Sequence, residues 1–79
     1  MIDNNIILPE PTLRRLPWYL AYVDILRASG VDTVSSTQIS KALSVDSSQI
    51  AKDLSFLNIK GKTRVGYEVN ALCAALSQF

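Results

Sequence analysis

The first third of the chain carries apolar residues at the spacing of an amphipathic helix, and Gly30 is a typical stop signal for it. Thr12 offers an N-cap, and proline is tolerated only near a helix start. The pattern therefore predicts either a turn at 12–16 followed by a helix from Pro17, or one helix with Pro17 in its first turns. The stripe expected to face the core consists of Leu16, Tyr19, Leu20, Val23 and Leu26.

The same helix is predicted to have a second apolar side. At about 100° per residue, Trp18 and Ile25 point roughly opposite the core stripe, with Tyr22 between the two groups. These three residues indicate either an interdomain or dimer contact or a small core that wraps around Trp18. The pattern alone leaves both interpretations open.

Residues 35–57 have the pattern of two short helices joined by a tight turn. Ser35 or Ser36 can cap the first helix, and Asp46 can cap the second, with Gln49 three residues later as in a capping box. The apolar positions expected to face the core are Ile39, Ala42 and Leu43 in the first helix and Ile50, Leu54 and Leu57 in the second.

The second of these helices has a polar outer face. Ser48, Lys52 and Ser55 lie opposite its apolar side, with Gln49 on the flank. Such side chains can donate to phosphates, and Gln and Lys can also match adenine and guanine edges. A short helix, a turn and a capped second helix of this kind are typical of a helix-turn-helix. An ordinary solvated helix carries the same residue types, so that alternative stays open.

The period of the sequence changes after Asn58. Val65, Tyr67 and Val69 alternate as in a β-strand, and Gly61 is placed for a tight turn. A β-hairpin after a helix-turn-helix is a wing, and basic residues at its tip would reach the DNA backbone or minor groove. Those residues are Lys60, Lys62 and Arg64. A final helix carries Leu72, Cys73 and Leu76.

The order of these elements predicts a mostly α fold with a small β-hairpin, a winged helix-turn-helix. Residues 1–10 show no clear period and end in a proline-rich unit, which predicts an extended N-terminal arm. The winged-helix domain is expected to occupy residues 11–79. A short β-like piece is expected at 31–34.

Composition narrows the function to binding. The chain has 79 residues, of which 48% are hydrophobic, with no His and one Cys, which removes the usual zinc sites and any imidazole base. It contains no glycine loop that could cradle a phosphate-bearing cofactor. We therefore expect no enzyme, no metal and no cofactor in this chain. No apolar run is long enough to span a membrane and no signal peptide is evident, which predicts a cytoplasmic protein without a membrane partner.

The net charge of +1 conceals two basic segments, residues 11–30 and 47–67. Neutralising phosphates requires a local basic surface rather than a basic average. These segments are compatible with DNA binding, and equally with ordinary solvated surface lysines.

Four segments together resemble the N-terminal domain of the Rex redox-sensing transcriptional repressors. They are Thr12–Leu20 with its Arg-Arg-Leu-Pro unit, Val34–Ser40 with Val-Ser-Ser, Val45–Ser55 with Lys-Asp-Leu-Ser, and Gly61–Tyr67. The resemblance spans roughly residues 9 to 76, and the combination of segments at these separations is specific.

This resemblance implies binding to double-stranded DNA at palindromic operators, as a homodimer in the full-length protein. It also implies a C-terminal Rossmann domain that senses NADH against NAD⁺ and releases DNA when NADH binds. That domain is absent from this sequence, so we expect a fragment rather than a stand-alone relative. The residues predicted to bind DNA are Arg14, Arg15, Ser36, Ser47, Ser48, Gln49, Lys52, Lys60, Lys62 and Arg64.

The wing departs from the pattern of the family. Thr63 stands where arginine is common, and Arg64 stands where glycine is common. The positive charge moves by one residue, so we expect altered wing contacts and a different operator preference. The alternative function is a winged-helix protein–protein interaction module whose basic wing is merely solvated.

Overall fold

The computed structural model describes residues 8–59, 61 and 65–78. Four helices and two short strands follow one another in these residues. They are α1 (Glu10–Ala28), β1 (Thr33–Val34), α2 (Ser36–Leu43), α3 (Ser47–Ser55), β2 (Tyr67–Glu68) and α4 (Val69–Leu76). A mostly α protein with a small β element is what the sequence predicts.

Helix α1 begins earlier than expected and is continuous. Pro9 is its N-cap, Glu10 is already helical, and Pro17 lies well inside the helix rather than in its first turns. The expected N-cap at Thr12 is wrong, because this residue is buried within the helix. Of the predicted arm, residues 1–7 lie outside the described residues, and Leu8 belongs to the hydrophobic core.

The end of α1 is a Schellman motif, as the glycine stop signal suggests. The Val31 amide donates to the Leu26 carbonyl oxygen at 2.9 Å, and the Gly30 amide donates to the Arg27 carbonyl oxygen at 3.1 Å. Gly30 adopts a left-handed φ of 82°. This turn directs the chain into β1.

The two helices of the helix-turn-helix are capped differently. Ser35 and Gln38 form a full capping box at α2, with distances of 3.0 and 2.9 Å. At α3, the Asp46 carboxylate accepts from the Ser48 amide at 3.0 Å. The box expected there is wrong, because the Gln49 side chain donates to Asp53 instead.

The two strands form an antiparallel sheet in which Thr33 pairs with Glu68 and Val34 with Tyr67. Val69, predicted as the last strand residue, begins α4. The residues of the predicted wing tip, Lys60, Lys62 and Arg64, lie outside the described residues.

Gly66 lets β2 approach β1. Its φ is +90°, and a Cβ at this position would stand 2.6 Å from the Val34 carbonyl oxygen. Both the backbone conformation and the space therefore require glycine.

The hydrophobic core lies between α1, α3, α4 and the sheet. Its fully buried members include Tyr19 and Val23 of α1, Ile39 of α2, Ile50 and Leu54 of α3, and Val69 and Leu72 of α4. The predicted inward positions of α3 are confirmed, since Ile50, Leu54 and Leu57 are all buried.

Candidate nucleic-acid interface

Helix α3 presents a short polar face to solvent. Ser48, Lys52 and Ser55 are exposed, whereas Ser47 and Gln49 are half-buried at the edges of this face. The Asp46 cap fixes the start of the helix beside these side chains. The residues predicted on α3 to read DNA therefore lie together at one end of the molecule's surface.

A buried carboxylate anchors α3 from the inside. Asp53 is 0% exposed, and its side chain accepts hydrogen bonds from four residues. Two bonds come from Arg15, Nε to Oδ2 at 2.6 Å and Nη2 to Oδ1 at 3.0 Å. The Thr12 hydroxyl donates at 2.7 Å, the Gln49 amide Nε2 donates at 2.8 Å, and the Tyr19 hydroxyl donates to Oδ2.

The donors around Asp53 keep it ionised. Burial alone would raise its pKa, but the hydrogen bonds, that from Arg15 first, outweigh burial and lower the pKa from 3.8 to about 2. Burial and the hydrogen bond to Asp53 raise the pKa of Tyr19 above its ordinary value, so its hydroxyl remains a donor. We call Thr12, Arg15, Tyr19, Gln49 and Asp53 the Asp53 cluster.

The two neighbouring arginines of α1 have different surroundings. Arg15 is bound in the Asp53 cluster, and its side chain is only 18% exposed. Arg14 is 74% exposed and pairs with Glu10 at 3.0 Å. Both line an open cleft of about 370 Å³ together with Glu10, Pro11 and Trp18. Only Arg14 of this pair is displayed in the way a phosphate contact requires.

The remaining predicted site residues are dispersed. Ser36 is half-buried at the first position of α2. The three basic wing residues cannot be placed, since they lie outside the described residues. Sequence reasoning therefore gathers the α3 residues correctly on one face, while the relation of the wing to that face stays a prediction.

The second apolar side of α1 is displayed to solvent. Trp18 is 53% exposed and Ile25 is 63% exposed, whereas Tyr22 is half-buried against the core. A small core wrapped around Trp18 is therefore not observed. The interdomain or dimer contact expected of these residues stays a prediction.

The sequence analysis missed the role of Asp53, although two signals pointed to it. Asp53 falls inside the apolar arc of α3, between Ile50 and Leu54, where a carboxylate needs buried partners. Thr12 and Tyr19, seven residues apart, share one face of α1 with Arg15 and supply those partners.

Among the described residues, no helix is long and apolar enough to cross a membrane. The same part of the chain contains no group of three or more His, Cys, Asp or Glu side chains that could hold a metal ion.

Comparisons with known proteins give a consistent family. The family model described as "Putative DNA-binding protein N-terminus" matches residues 7–55, which is more than half of the chain. The redox-sensing transcriptional repressor Rex of Bacteroides fragilis is 66% identical over 71 residues, covering 90% of this chain and 32% of that protein. The Rex protein of Porphyromonas gingivalis is 57% identical over 79 residues, covering 100% of this chain and 35% of that protein.

Solved structures agree with these sequence relatives. RSP in complex with β-NAD⁺ and operator DNA is 33% identical and superposes with a TM-score of 0.85, covering 91% of this chain and 33% of that one. RSP described as a Rex-family repressor superposes with a TM-score of 0.77 at 35% identity, over 91% of this chain and 32% of that one. The predicted winged helix-turn-helix fold is thereby confirmed.

The chain spans about a third of the length of the relatives it matches. The match nonetheless includes α1, the helix-turn-helix and most of the described residues beyond it. This chain belongs to the family of the N-terminal DNA-binding domain of Rex redox-sensing transcriptional repressors.

Proposed function

We propose that this domain binds double-stranded DNA sequence-specifically, with α3 in the major groove. The observation that carries the proposal is the outer face of α3, which is capped, polar and anchored from below by a buried carboxylate. RSP, with which the domain shares its fold, has been solved with operator DNA bound.

The residues of α3 take different roles in this proposal. Lys52 and Ser48 are exposed at its centre and contact phosphates or base edges, and Ser47 adds a contact at the N-terminal end. Gln49 reads a base edge from the flank, since a side-chain amide can pair with adenine in the major groove. Specificity comes from the base contacts, while the phosphate contacts set the register of the domain on DNA.

Positive charges outside α3 supply the salt-dependent part of the affinity. Arg14 contacts a phosphate from the exposed side of α1, and Ser36 contacts one from the start of α2. Lys60, Lys62 and Arg64 contact the backbone or minor groove from the wing. For Arg15, held on Asp53, the proposed part in DNA binding is indirect.

We further propose that the whole protein is a redox-responsive repressor and not an enzyme. In it, a C-terminal domain binds NADH or NAD⁺, and a homodimer places two winged-helix domains on a palindromic operator in the cytoplasm. The named relatives are redox-sensing repressors, and RSP has been solved with β-NAD⁺ and with β-NADH. Trp18, Tyr22 and Ile25 form the contact with the remainder of the protein, which accounts for their exposed apolar side chains.

An NMR titration of the labelled 79-residue chain tests DNA binding. We expect shifts at residues 47–52 that are larger for a half-site of the operator bound by RSP than for a scrambled duplex. Lys52→Ala should weaken binding to both duplexes and reduce the salt dependence, with melting temperature nearly unchanged. Lys41→Ala, which removes an equally exposed charge from α2, is the matched control and should bind like the wild type.

The alternative function, a protein–protein interaction module, predicts a different result. Equal, weak shifts with both duplexes at low salt, and none confined to α3, would contradict sequence-specific DNA binding. In that case the exposed Trp18 and Ile25 would be the first surface to test for a protein partner.

A further inference from the structure

The Asp53 cluster joins the helix proposed to read DNA to α1. Three of its donors, on Thr12, Arg15 and Tyr19, come from α1, and the fourth, Gln49, comes from α3 itself. All of them meet at one carboxylate that solvent does not reach. The same carboxylate therefore fixes both the seat of α3 and a side chain on its DNA-facing flank.

The orientation of the Gln49 amide follows from the charge on Asp53. An ionised carboxylate only accepts hydrogen bonds, so it is the Nε2 group of Gln49, and not its oxygen, that must face it. One N–H and the carbonyl oxygen of the amide are then available to a ligand. An adenine edge in the major groove offers one acceptor and one donor, which matches that pair.

We infer that Asp53 is a positioning residue for DNA reading: its carboxylate orients the amide of Gln49 and seats α3 on α1, so that sequence discrimination depends on a residue that DNA does not touch. This inference rests on the proposed function, because it assigns Asp53 to the same DNA-reading surface. Holding the amide before DNA arrives lowers the ordering cost of the base contact.

A double-mutant cycle on Gln49 and Asp53 tests the inference. Affinities for the half-site and for the scrambled duplex are measured for Gln49→Ala, Asp53→Ala and the double variant, at a temperature where thermal melts show each to be folded. We expect each single substitution to reduce the ratio of the two affinities about tenfold, and the double variant to lose no more than Gln49→Ala alone. A purely structural Asp53 would leave the ratio unchanged in the folded variant, and independent residues would give losses that multiply.

A second variant keeps the test decisive if Asp53→Ala does not fold. Arg15→Met combined with Asp53→Ala removes the buried ion pair as a unit, which avoids an unpaired buried guanidinium. It should again show the reduced ratio, because losing a phosphate contact would weaken both duplexes alike. Asp24→Asn changes the charge of α1 equally at an exposed site and should keep the ratio of the wild type.

The outcomes separate the two proposals. A wild-type chain with no preference for the half-site overturns the proposed function. A wild-type preference that survives in the Asp53 variants, or in Gln49→Ala, overturns the positioning role and leaves DNA binding standing.

Discussion

Helix α1 meets α4 through apolar side chains and meets α3 through the Asp53 cluster. Leu16 and Val23 of α1 and Leu72 of α4 are buried in the common hydrophobic core, and the packing of α1 on α4 is more extensive than its packing on α3. Apolar packing is non-directional, so it holds two helices together without selecting one orientation. The hydrogen bonds at Asp53 are directional and select one.

The difference between these junctions fits what each helix presents to solvent. Helix α3 carries the proposed DNA-reading residues, and their positions must be reproducible to within the length of a hydrogen bond. Helix α4 needs only to complete the core. We therefore expect the polar junction to control binding and stability together, and the apolar junction to control stability alone.

Removing one partner of the buried ion pair should have the largest effect on stability. Arg15→Met leaves the Asp53 carboxylate buried with only neutral donors, so we expect a loss of about 3–5 kcal/mol in the free energy of unfolding. Urea denaturation measures it. Arg15→Met combined with Asp53→Ala should be less destabilised than Arg15→Met alone, and a double variant that loses the sum of both effects would contradict this account of the junction.

Truncating the apolar junction should cost slightly less and act differently. Leu72→Ala removes a fully buried side chain of α4, for which we expect about 3 kcal/mol. The folded fraction should keep the wild-type ratio of half-site to scrambled affinity, measured at low temperature. A changed ratio would show that the apolar junction also orients α3.

Acid should weaken the polar junction specifically. The pKa of Asp53 is lowered from 3.8 to about 2 in the folded chain, so the unfolded state binds the proton more readily. The resulting stability, about 2 kcal/mol, is present above pH 5 and is lost as the pH falls towards 2. Urea denaturation at successive pH values should show this slope in the wild type and in Asp24→Asn. An equally steep slope in Asp53→Asn would assign it to other groups.

The sequence predicted the apolar junction better than the polar one. Residues such as Val23 and Ile50 follow the helical period, and periodicity is sufficient to place a side chain that needs only burial. The position of Asp53 depends on Thr12 and Arg15, which stand 41 and 38 residues away, and no local pattern encodes such a pairing. For the same reason Thr12 was predicted as a cap, and Gln49 as part of a capping box.

The start of α1 shows a second limit of local signals. Proline inside a helix removes a backbone hydrogen bond and costs about 3 kcal/mol, which is why the sequence favours a break or a start near Pro17. The structure continues the helix through it, with Leu16 and Tyr19 buried on either side. Burial of the whole stripe and the hydrogen bonds to Asp53 offset a cost that only tertiary contacts can outweigh.

The smallest effect on stability is expected at Arg14, whose comparison with Arg15 isolates burial from residue type. Arg14 and its partner Glu10 are 74% and 75% exposed, so solvent screens the pair and Arg14→Met should change stability by no more than about 0.5 kcal/mol. Arg14→Met should nevertheless weaken DNA binding, equally for the half-site and the scrambled duplex, because a phosphate contact carries no base preference. A loss confined to the half-site would instead make Arg14 part of sequence reading, and no loss with either duplex would remove it from the proposed interface.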